Sequence, residues 1–246
     1  MEYGEFSKVY DLLMYDYPYE EIYHYIEEIL SRHKILPTRI LEMACGTGAL
    51  TKFIRRLAPV TAFDLSSDML SVAREKLGSS QRVHLYCEDM STFQLTQKFD
   101  LILCLCDSLN YLETKDMVRK TFQNVFDHLT DDGIFLFDIN TEYKFLSMSD
   151  QVFTDEKEDI FYVWENFYSL NDRENIYRIH FFQREGEKYR RFFEEHIQYM
   201  YSEKDLDEML MKIGFKDIQK YRGYTFDKDI ENCHRLVYIV QKKEKE

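Results

Sequence analysis

The chain lacks the excess of positive charge that nucleic-acid-binding proteins carry. Its 32 Lys and Arg residues are outnumbered by 45 Asp and Glu residues, which gives a formal net charge of −13. Binding to nucleic acid normally needs a basic face, so nucleic acid is not the expected partner. The basic run at residues 188–191 fits a solvated turn between strands better than a binding patch. No apolar run reaches the length of a membrane span, so no membrane segment is expected.

Several sequence signatures of metal, redox and secreted proteins are also missing. The five cysteines form no C-x-x-C pair, and their number is odd, so we expect reduced thiols and no metal site. Neither the H-x-E motif of zinc deaminases nor the G-x-S-x-G motif of serine esterases occurs. The first residues, MEYGEFSKVYD, have neither a basic region nor an apolar core, so no secretory signal is expected. These absences predict a cytoplasmic protein.

The most informative segment that is present covers residues 40–51, ILEMACGTGALT. A short apolar strand ends at Glu42, a glycine turn follows, and a helical pattern then begins. Glycine lets the backbone approach a ligand closely, and a helix N-terminus offers free N–H donors. This arrangement is typical of a nucleotide-ligand turn at the edge of a parallel sheet. A dinucleotide fingerprint would need a third glycine, where this chain has Thr51.

The segment EMACGTG, residues 42–48, closely resembles the first motif of the class I S-adenosylmethionine-dependent methyltransferases. The resemblance implies that the glycines pack against the methionine part of the cofactor. It also implies that the acid orients the loop and, directly or through water, the cofactor amino group. The cofactor-binding residues predicted in this loop are Glu42, Ala44, Cys45, Gly46 and Gly48.

Two further strands end in acids at the separations expected of that family. Asp64 ends an apolar strand eighteen residues after Gly46, and a carboxylate there can accept hydrogen bonds from both ribose hydroxyls. The resemblance implies that Asp64 binds ribose and that Leu65 and Met69 line the adenine. The alternative function of Asp64 is to cap the following helix.

The next such strand ends at Asp89. By the same resemblance, the Asp89 carboxylate meets the adenine amino group, and the backbone N–H of Met90 meets a ring nitrogen.

A continuous apolar run at residues 101–106 predicts a strand buried on both faces of a parallel sheet. Its polar successors should emerge at the carboxyl edge, where open α/β sheets bind ligands. We therefore predict that Cys106 contacts the cofactor and that Asp107 and Asn110 lie near the transferred methyl as catalytic candidates. Asp107 could orient or deprotonate an acceptor, or could simply cap the next helix. Asp138 and Asn140, after the fifth strand, are further candidates on the substrate side.

Strands and helices alternate over residues 38–140, which predicts an α/β fold with helices on both faces of a parallel sheet. The resemblance specifies a Rossmann-like, seven-stranded, mostly parallel sheet with an antiparallel last strand. Aromatic-rich segments joined by short turns predict an antiparallel β insertion at residues 150–200. We expect this insertion to cover the substrate opening. Residues 1–149 and 201–246 should form the cofactor-binding domain.

Residues 1–36 predict two helices rich in tyrosine. Helix packing explains most of these tyrosines. In the resembling family, however, an N-terminal segment with a Tyr-Asp pair covers the cofactor. Both Tyr10-Asp11 and Tyr15-Asp16 fit that description, so Tyr10 and Tyr15 are predicted to contact the cofactor.

The predicted function is transfer of a methyl group from S-adenosyl-L-methionine to a small-molecule acceptor by in-line displacement. The cofactor supplies the reactive carbon and the leaving group, so the protein mainly positions and desolvates. A non-catalytic S-adenosylmethionine-binding subunit or sensor is the alternative. A nicotinamide oxidoreductase is disfavoured by Thr51.

Overall fold

A computed structural model describes residues 6–244 of the chain, so the first five residues of the predicted N-terminal helices lie outside the described part. The helices are α1 (Phe6–Leu13), α2 (Tyr19–His33), α3 (Thr51–Ile54), α4 (Ser67–Leu77), α5 (Lys115–His128), α6 (Glu142–Met148) and α7 (Glu203–Ile213). The strands are β1 (Ile40–Met43), β2 (Val60–Asp64), β3 (Val83–Cys87), β4 (Phe99–Cys104), β5 (Leu129–Asn140), β6 (Val152–Lys157), β7 (Ile160–Ser169), β8 (Glu174–Glu185), β9 (Lys188–Tyr199), β10 (Asp217–Arg222) and β11 (Arg235–Gln241).

The main sheet has seven strands in the order β10-β11-β5-β4-β1-β2-β3. Strands β1 to β5 pair in parallel, whereas β11 runs antiparallel to β5 and to β10. This is the predicted Rossmann-like topology with an antiparallel last strand, and it is confirmed. Because β1 to β5 run in the same direction, the loops that follow them all emerge at one edge of the sheet.

Apolar side chains cover both faces of the main sheet. One face packs against α5 and α7 through a core that includes Phe122 and Leu210, and the other packs against α2 and α4 through Ile26 and Leu70. The central strand β1, ILEM, is buried along its whole length, including the carboxyl of Glu42. Ser66 caps α4 by accepting a hydrogen bond from the Met69 N–H at 3.2 Å, which fixes where the loop after β2 ends.

The insertion is a separate antiparallel sheet in the order β6-β7-β8-β9. The sequence predicted three of these strands and missed β6. Its sequence, VFTDEK, carries three charged residues in six positions, and edge strands often carry charge in place of a clear apolar alternation. The inner face of the insertion packs on α1, where Phe6 and Val9 meet Ile160, Ile179 and Phe181. Helix α1 is therefore enclosed between the two sheets.

Candidate cofactor and acceptor site

A cavity of about 630 Å³ lies at the carboxyl edge of the main sheet. Its walls are the loops that follow β1 to β4, the inner side of α1, and the inner face of the insertion. Small-molecule sites usually enclose roughly 300–1,000 Å³ and are lined mainly by apolar side chains with a few polar groups. Of the residues predicted from the sequence, those lining this cavity are Tyr10, Glu42, Ala44, Cys45, Gly46, Asp64, Leu65, Met69, Asp89, Met90, Cys106, Asp107 and Asn140.

The two glycines of the loop after β1 have different surroundings. Both have positive φ angles, +53° at Gly46 and +73° at Gly48. A Cβ added at Gly46 would meet nothing within 4 Å, and Gly46 lines the cavity. A Cβ at Gly48 would lie 2.9 Å from Leu77 Cδ1 on α4, and Gly48 does not line the cavity. Gly46 thus leaves open space for a ligand, whereas Gly48 lets the loop pack closely on α4.

Glu42, the acid near the end of β1, accepts a hydrogen bond from Thr51. Thr51 occupies the position where a dinucleotide fingerprint has its third glycine. The Thr51 hydroxyl donates a hydrogen bond to Glu42 Oε2 at 2.5 Å. Burial raises the pKa of Glu42 to about 8, and the hydrogen bond from Thr51 opposes that rise. Glu42 is therefore a buried carboxyl that stays protonated near neutral pH until a positive group comes close.

Asp64 anchors the glycine loop and does not cap α4. Its Oδ2 accepts the Gly46 N–H and its Oδ1 accepts the Ser66 N–H, each at 2.8 Å. Burial raises the pKa of Asp64, and these backbone hydrogen bonds oppose the rise. Each oxygen can still accept one more hydrogen bond, so the carboxylate is placed to receive ligand hydroxyls.

The loop after β3 places a further acid, Asp89, in the cavity wall, which the apolar side chains of Leu65 and Met69 also line. Asp89 Oδ1 accepts hydrogen bonds from both the N–H and the hydroxyl of Ser91, each at 2.7 Å. Leu65 is 69% exposed at the cavity mouth, where a ligand in the cavity would cover it. Met69 is buried and joins the cluster formed by Phe6 and Val9.

The two tyrosines predicted to cover the cofactor lie in different places. Tyr10 lines the cavity, and its ring packs edge-on against Phe6 with centroids 5.6 Å apart. Burial raises its pKa, so the hydroxyl stays neutral. Tyr15 does not line the cavity: its side chain is 57% exposed and lies under Lys157 Nζ, 3.5 Å from the ring centroid.

Helix α1 is tied to the glycine loop and to α4 by a three-residue cluster, which we call the α1 latch: Asp11, Thr47 and Lys76. The Thr47 hydroxyl donates to Asp11 Oδ1 at 2.6 Å, and Lys76 Nζ lies 2.6 Å from Asp11 Oδ2 and 2.8 Å from Thr47 Oγ1. No local pattern pointed to Lys76, because only the packing of α4 beside α1 brings it near Asp11.

Asp107 forms part of a charged wall at the far end of the cavity. Its Oδ1 accepts from Arg235 Nη2 and its Oδ2 accepts from Gln198 Nε2, each at 2.6 Å. The side chain makes no capping bond to the 3₁₀ turn Ser108–Tyr111 that follows it. Burial works against ionisation, but Arg235 and Lys144 hold the pKa of Asp107 below its usual value. Asp107 is therefore an ionised carboxylate.

Behind this wall, Arg235 also pairs with the fully buried Asp138. Asp138 accepts further hydrogen bonds from the Tyr224 hydroxyl at 2.8 Å and from the Asp107 N–H at 3.0 Å. Burial raises the pKa of Asp138, and Arg235 lowers it. Two acids buried close together imply a nearby cation. The positions of these acids in the sequence do not show that the cation is Arg235.

Asn110 does not line the cavity. Its side chain is fully buried, donates to the Tyr199 carbonyl at 3.0 Å, and accepts the Asn140 N–H at 2.8 Å. These bonds join the end of the insertion to the end of β5. Asn140, by contrast, does line the cavity and donates to Gln198 Oε1 at 2.8 Å.

Cys106 adopts a positive φ of 60° and lines the cavity beside Asp107. Burial raises the pKa of its thiol, and Asp138 reinforces the effect. The group is therefore a protonated, weakly nucleophilic thiol. Across residues 6–244, no group of His, Cys, Asp and Glu side chains is placed to hold a metal ion. In the same residues, no helix is long and apolar enough to cross a membrane.

Comparison with known proteins identifies the family. The model of a family described as a methyltransferase domain matches residues 40–133. The "Putative methyltransferase YqeM" of Bacillus subtilis (strain 168) is 36% identical over 245 residues, which is 98% of each chain. The chain belongs to the S-adenosylmethionine-dependent methyltransferases. A crystal structure of such a methyltransferase from Clostridium acetobutylicum ATCC 824 is 34% identical, covers 98% of this chain and 99% of that chain, and superposes with a TM-score of 0.87.

The cofactor of this methyltransferase is S-adenosylmethionine, as the sequence predicted. The cavity fits that molecule, because Gly46 leaves open space and Asp64 retains free acceptor capacity beside it. Streptomyces venezuelae DesVI shares the fold, with a TM-score of 0.82 at 19% identity over 97% of this chain and 99% of that one.

Proposed function

We propose that this methyltransferase acts on a small molecule, held between Asp107 and the inner face of the insertion sheet. One observation carries the proposal. A single cavity runs from Gly46 and Asp64 at one end to Asp107, Gln198 and Arg235 at the other. When bound, the cofactor supplies an electrophilic methyl carbon and a thioether leaving group for in-line displacement. The chain orients the acceptor and excludes water from this cavity.

Asp107 orients the acceptor and does not act as its base. Arg235 and Gln198 each bind one of its oxygens, and its pKa lies below the usual value, so it accepts a proton poorly near neutral pH. An ionised carboxylate remains a strong hydrogen-bond acceptor for an acceptor N–H or O–H. The expected role is therefore to aim an acceptor lone pair at the methyl carbon.

The residues predicted for cofactor binding are proposed to keep those roles where they line the cavity. Asp64 would accept hydrogen bonds from the ribose hydroxyls, and Glu42 would bind the amino group of the methionine part. Leu65 and Met69 would pack against the faces of the adenine ring. Asp89 and Met90 would hydrogen-bond to its edge. Gly48 and Asn110 are surrounded by protein side chains and backbone, so we propose that they hold the walls of the cavity in place without contacting a ligand.

The names of two partial relatives support a small acceptor. The "Malonyl-[acyl-carrier protein] O-methyltransferase" of Bacillus anthracis is 33% identical over 56% of this chain and 52% of its own length. The "dTDP-4-amino-2,3,4,6-tetradeoxy-D-glucose N,N-dimethyltransferase" of Saccharopolyspora spinosa is 34% identical over 39% of this chain and 37% of its own. One name specifies transfer to oxygen and the other to nitrogen. Together they favour the reaction class without favouring one acceptor atom.

The test is release of S-adenosylhomocysteine from the full chain across a library of small amines, alcohols and acids. Release that depends on an acceptor is expected. Asp107→Asn should then lower kcat by about 10- to 100-fold while changing cofactor affinity little, the pattern of a lost transition-state contact. Asp132→Asn, at a side chain that is 85% exposed, is the matched control. Tight cofactor binding without release for any compound would favour the non-catalytic sensor.

A further inference from the structure

The polar wall of the cavity contains carboxylates that are satisfied and N–H donors that are not. Both oxygens of Asp107 are bound, by Arg235 and Gln198. Asp138 is bound by Arg235, by Tyr224 and by a backbone N–H. Asp107 in the wall and Asp138 behind it thus share the guanidinium of Arg235, which is directed to them. A ligand at this wall gains little by offering the carboxylates a positive charge.

Lys144 is the contrasting group. It lies on α6, is half-buried, and lines the same cavity. Its Nζ donates to one neutral group, Asn140 Oδ1, at 2.9 Å, and no carboxylate oxygen of residues 6–244 lies within 4.0 Å of it. An ammonium has three N–H donors, so two remain for a ligand. Burial lowers the pKa of Lys144 and Asp107 opposes that effect, so a nearby anion would favour the charged form.

A second donor on this wall is also without a partner. Trp164 lines the cavity, and its buried Nε1 has no hydrogen-bond acceptor in the described structure. Its ring packs edge-on against Tyr177 at 5.3 Å, and the Tyr177 hydroxyl donates to Gln198 Oε1 at 3.2 Å. Indole nitrogen can only donate. Nε1 is one of several buried polar atoms without a partner in residues 6–244, and solvent does not reach it, so Trp164 serves here as a reporter beside the cavity and not as a donor to the ligand.

We propose that the methyl acceptor carries an anionic oxygen group, a carboxylate or a phosphate, and that Lys144 binds that group at the cavity wall. This inference rests on the proposed function, because it places an acceptor in the cavity. A neutral hydroxyl could fill the same space, but it would not give the ammonium a directly bound anion, since Asp107 acts on Lys144 only from beyond 4.0 Å. Burying a charge is costly unless it is paired, and an anion is what pairs it.

Trp164 provides the measurement, because it is the single tryptophan of the chain. The full-length protein, saturated with S-adenosylhomocysteine, is titrated separately with inorganic phosphate and with acetate, each against sodium chloride at equal ionic strength. A saturable change in tryptophan emission is expected for at least one anion. Saturation by phosphate alone indicates a phosphate ester, and saturation by acetate alone indicates a carboxylate.

Lys144→Met should weaken that binding by about 10- to 100-fold, the range of a charge-assisted hydrogen bond, and Lys144→Arg should restore most of it. Lys144→Gln repeats the test if the Met variant does not fold. Lys212→Met is the matched control, because the Lys212 side chain is 76% exposed on α7. S-adenosylhomocysteine affinity should be unchanged in every variant.

Two results would overturn the inference: no saturable change in the wild-type protein with either anion, or equal affinity in wild type and Lys144→Met. Neither result touches the proposed function, since acceptor-dependent release of S-adenosylhomocysteine is measured separately. Conversely, anion binding that depends on Lys144 would stand even if no acceptor in the library were methylated.

Discussion

At the scale of single residues, replacing the two loop glycines should have different effects, one mainly on stability and the other on cofactor binding. Gly46→Ala and Gly48→Ala both place a Cβ at positive φ, which costs about 1–2 kcal/mol. Only Gly48→Ala also meets Leu77 at 2.9 Å, so it should lose about 1–3 kcal/mol more in urea unfolding. Gly46→Ala should instead weaken S-adenosylmethionine binding by calorimetry. Wild-type affinity in that variant would show that the backbone there does not approach the cofactor.

Glu42 should make stability depend on pH in the direction opposite to an ordinary salt-bridged acid. Burial raises its pKa to about 8 in the folded protein, against about 4.5 in the unfolded chain. Between these values the unfolded chain has released the proton that the folded chain keeps, so stability falls as pH rises from 4.5 to 8. Glu42→Gln should remove that slope. Urea unfolding of both proteins without cofactor, at pH 5, 6.5 and 8, measures it, and parallel curves would contradict the assignment.

At the scale of elements, the α1 latch should control how fast the cofactor leaves. Lys76→Met removes the ion pair from α4 to Asp11 on α1 and the hydrogen bond from α4 to Thr47 in the glycine loop, and α1 covers the cavity with Tyr10. The ion pair is partly exposed, at 23% and 39%, so we expect a modest effect, about 2- to 5-fold faster dissociation. High salt should reduce the difference between the variant and wild type. Equal rates would mean that the apolar cluster around Phe6 alone holds the helix.

The insertion sheet should affect turnover through Gln198, which links Asp107 to Asn140. Gln198→Ala leaves one Asp107 oxygen without its donor, so kcat should fall while cofactor affinity stays within about 2-fold. Replacing residues 150–200 by a linker is a blunter test, because α1 rests on the insertion through Ile179 and Phe181. If Gln198→Ala turned over at the wild-type rate, Asp107 would not depend on the insertion for its position.

At the scale of the whole molecule, cofactor binding should stabilise the fold, because most of the cavity wall belongs to the loops and helices that join the strands of the main sheet. S-adenosylmethionine at about 100 times its dissociation constant adds about 2.7 kcal/mol. For a chain of this size that corresponds to a rise in Tm of roughly 5–10 °C. NAD at the same concentration should give none. An equal shift with NAD would contradict the identification of the cofactor loop.

The sequence alone was sufficient for the family, the sheet and the cofactor loop. These depend on local patterns: an apolar strand, an acid at its end, and glycines that tolerate positive φ at 46 and 48. Each such pattern lies within about ten residues, where backbone geometry leaves few alternatives. The same locality explains why Asp64 and Asp89 were found and why the insertion could be located from its alternating aromatic segments.

The tertiary structure alone decided which side chains meet at the acceptor end. Asp107, Gln198 and Arg235 are separated by 91 and 37 residues, and they come together because β11 returns antiparallel beside β5 and the last strand of the insertion brings Gln198 to the loop after β4. The tertiary structure also decided that the Asn110 side chain hydrogen-bonds to backbone groups and that Tyr15 is exposed to solvent. The direction of a side chain depends on packing between elements and not on its neighbours in sequence. Local patterns fix strand ends, but long-range packing determines which of their side chains share a cavity.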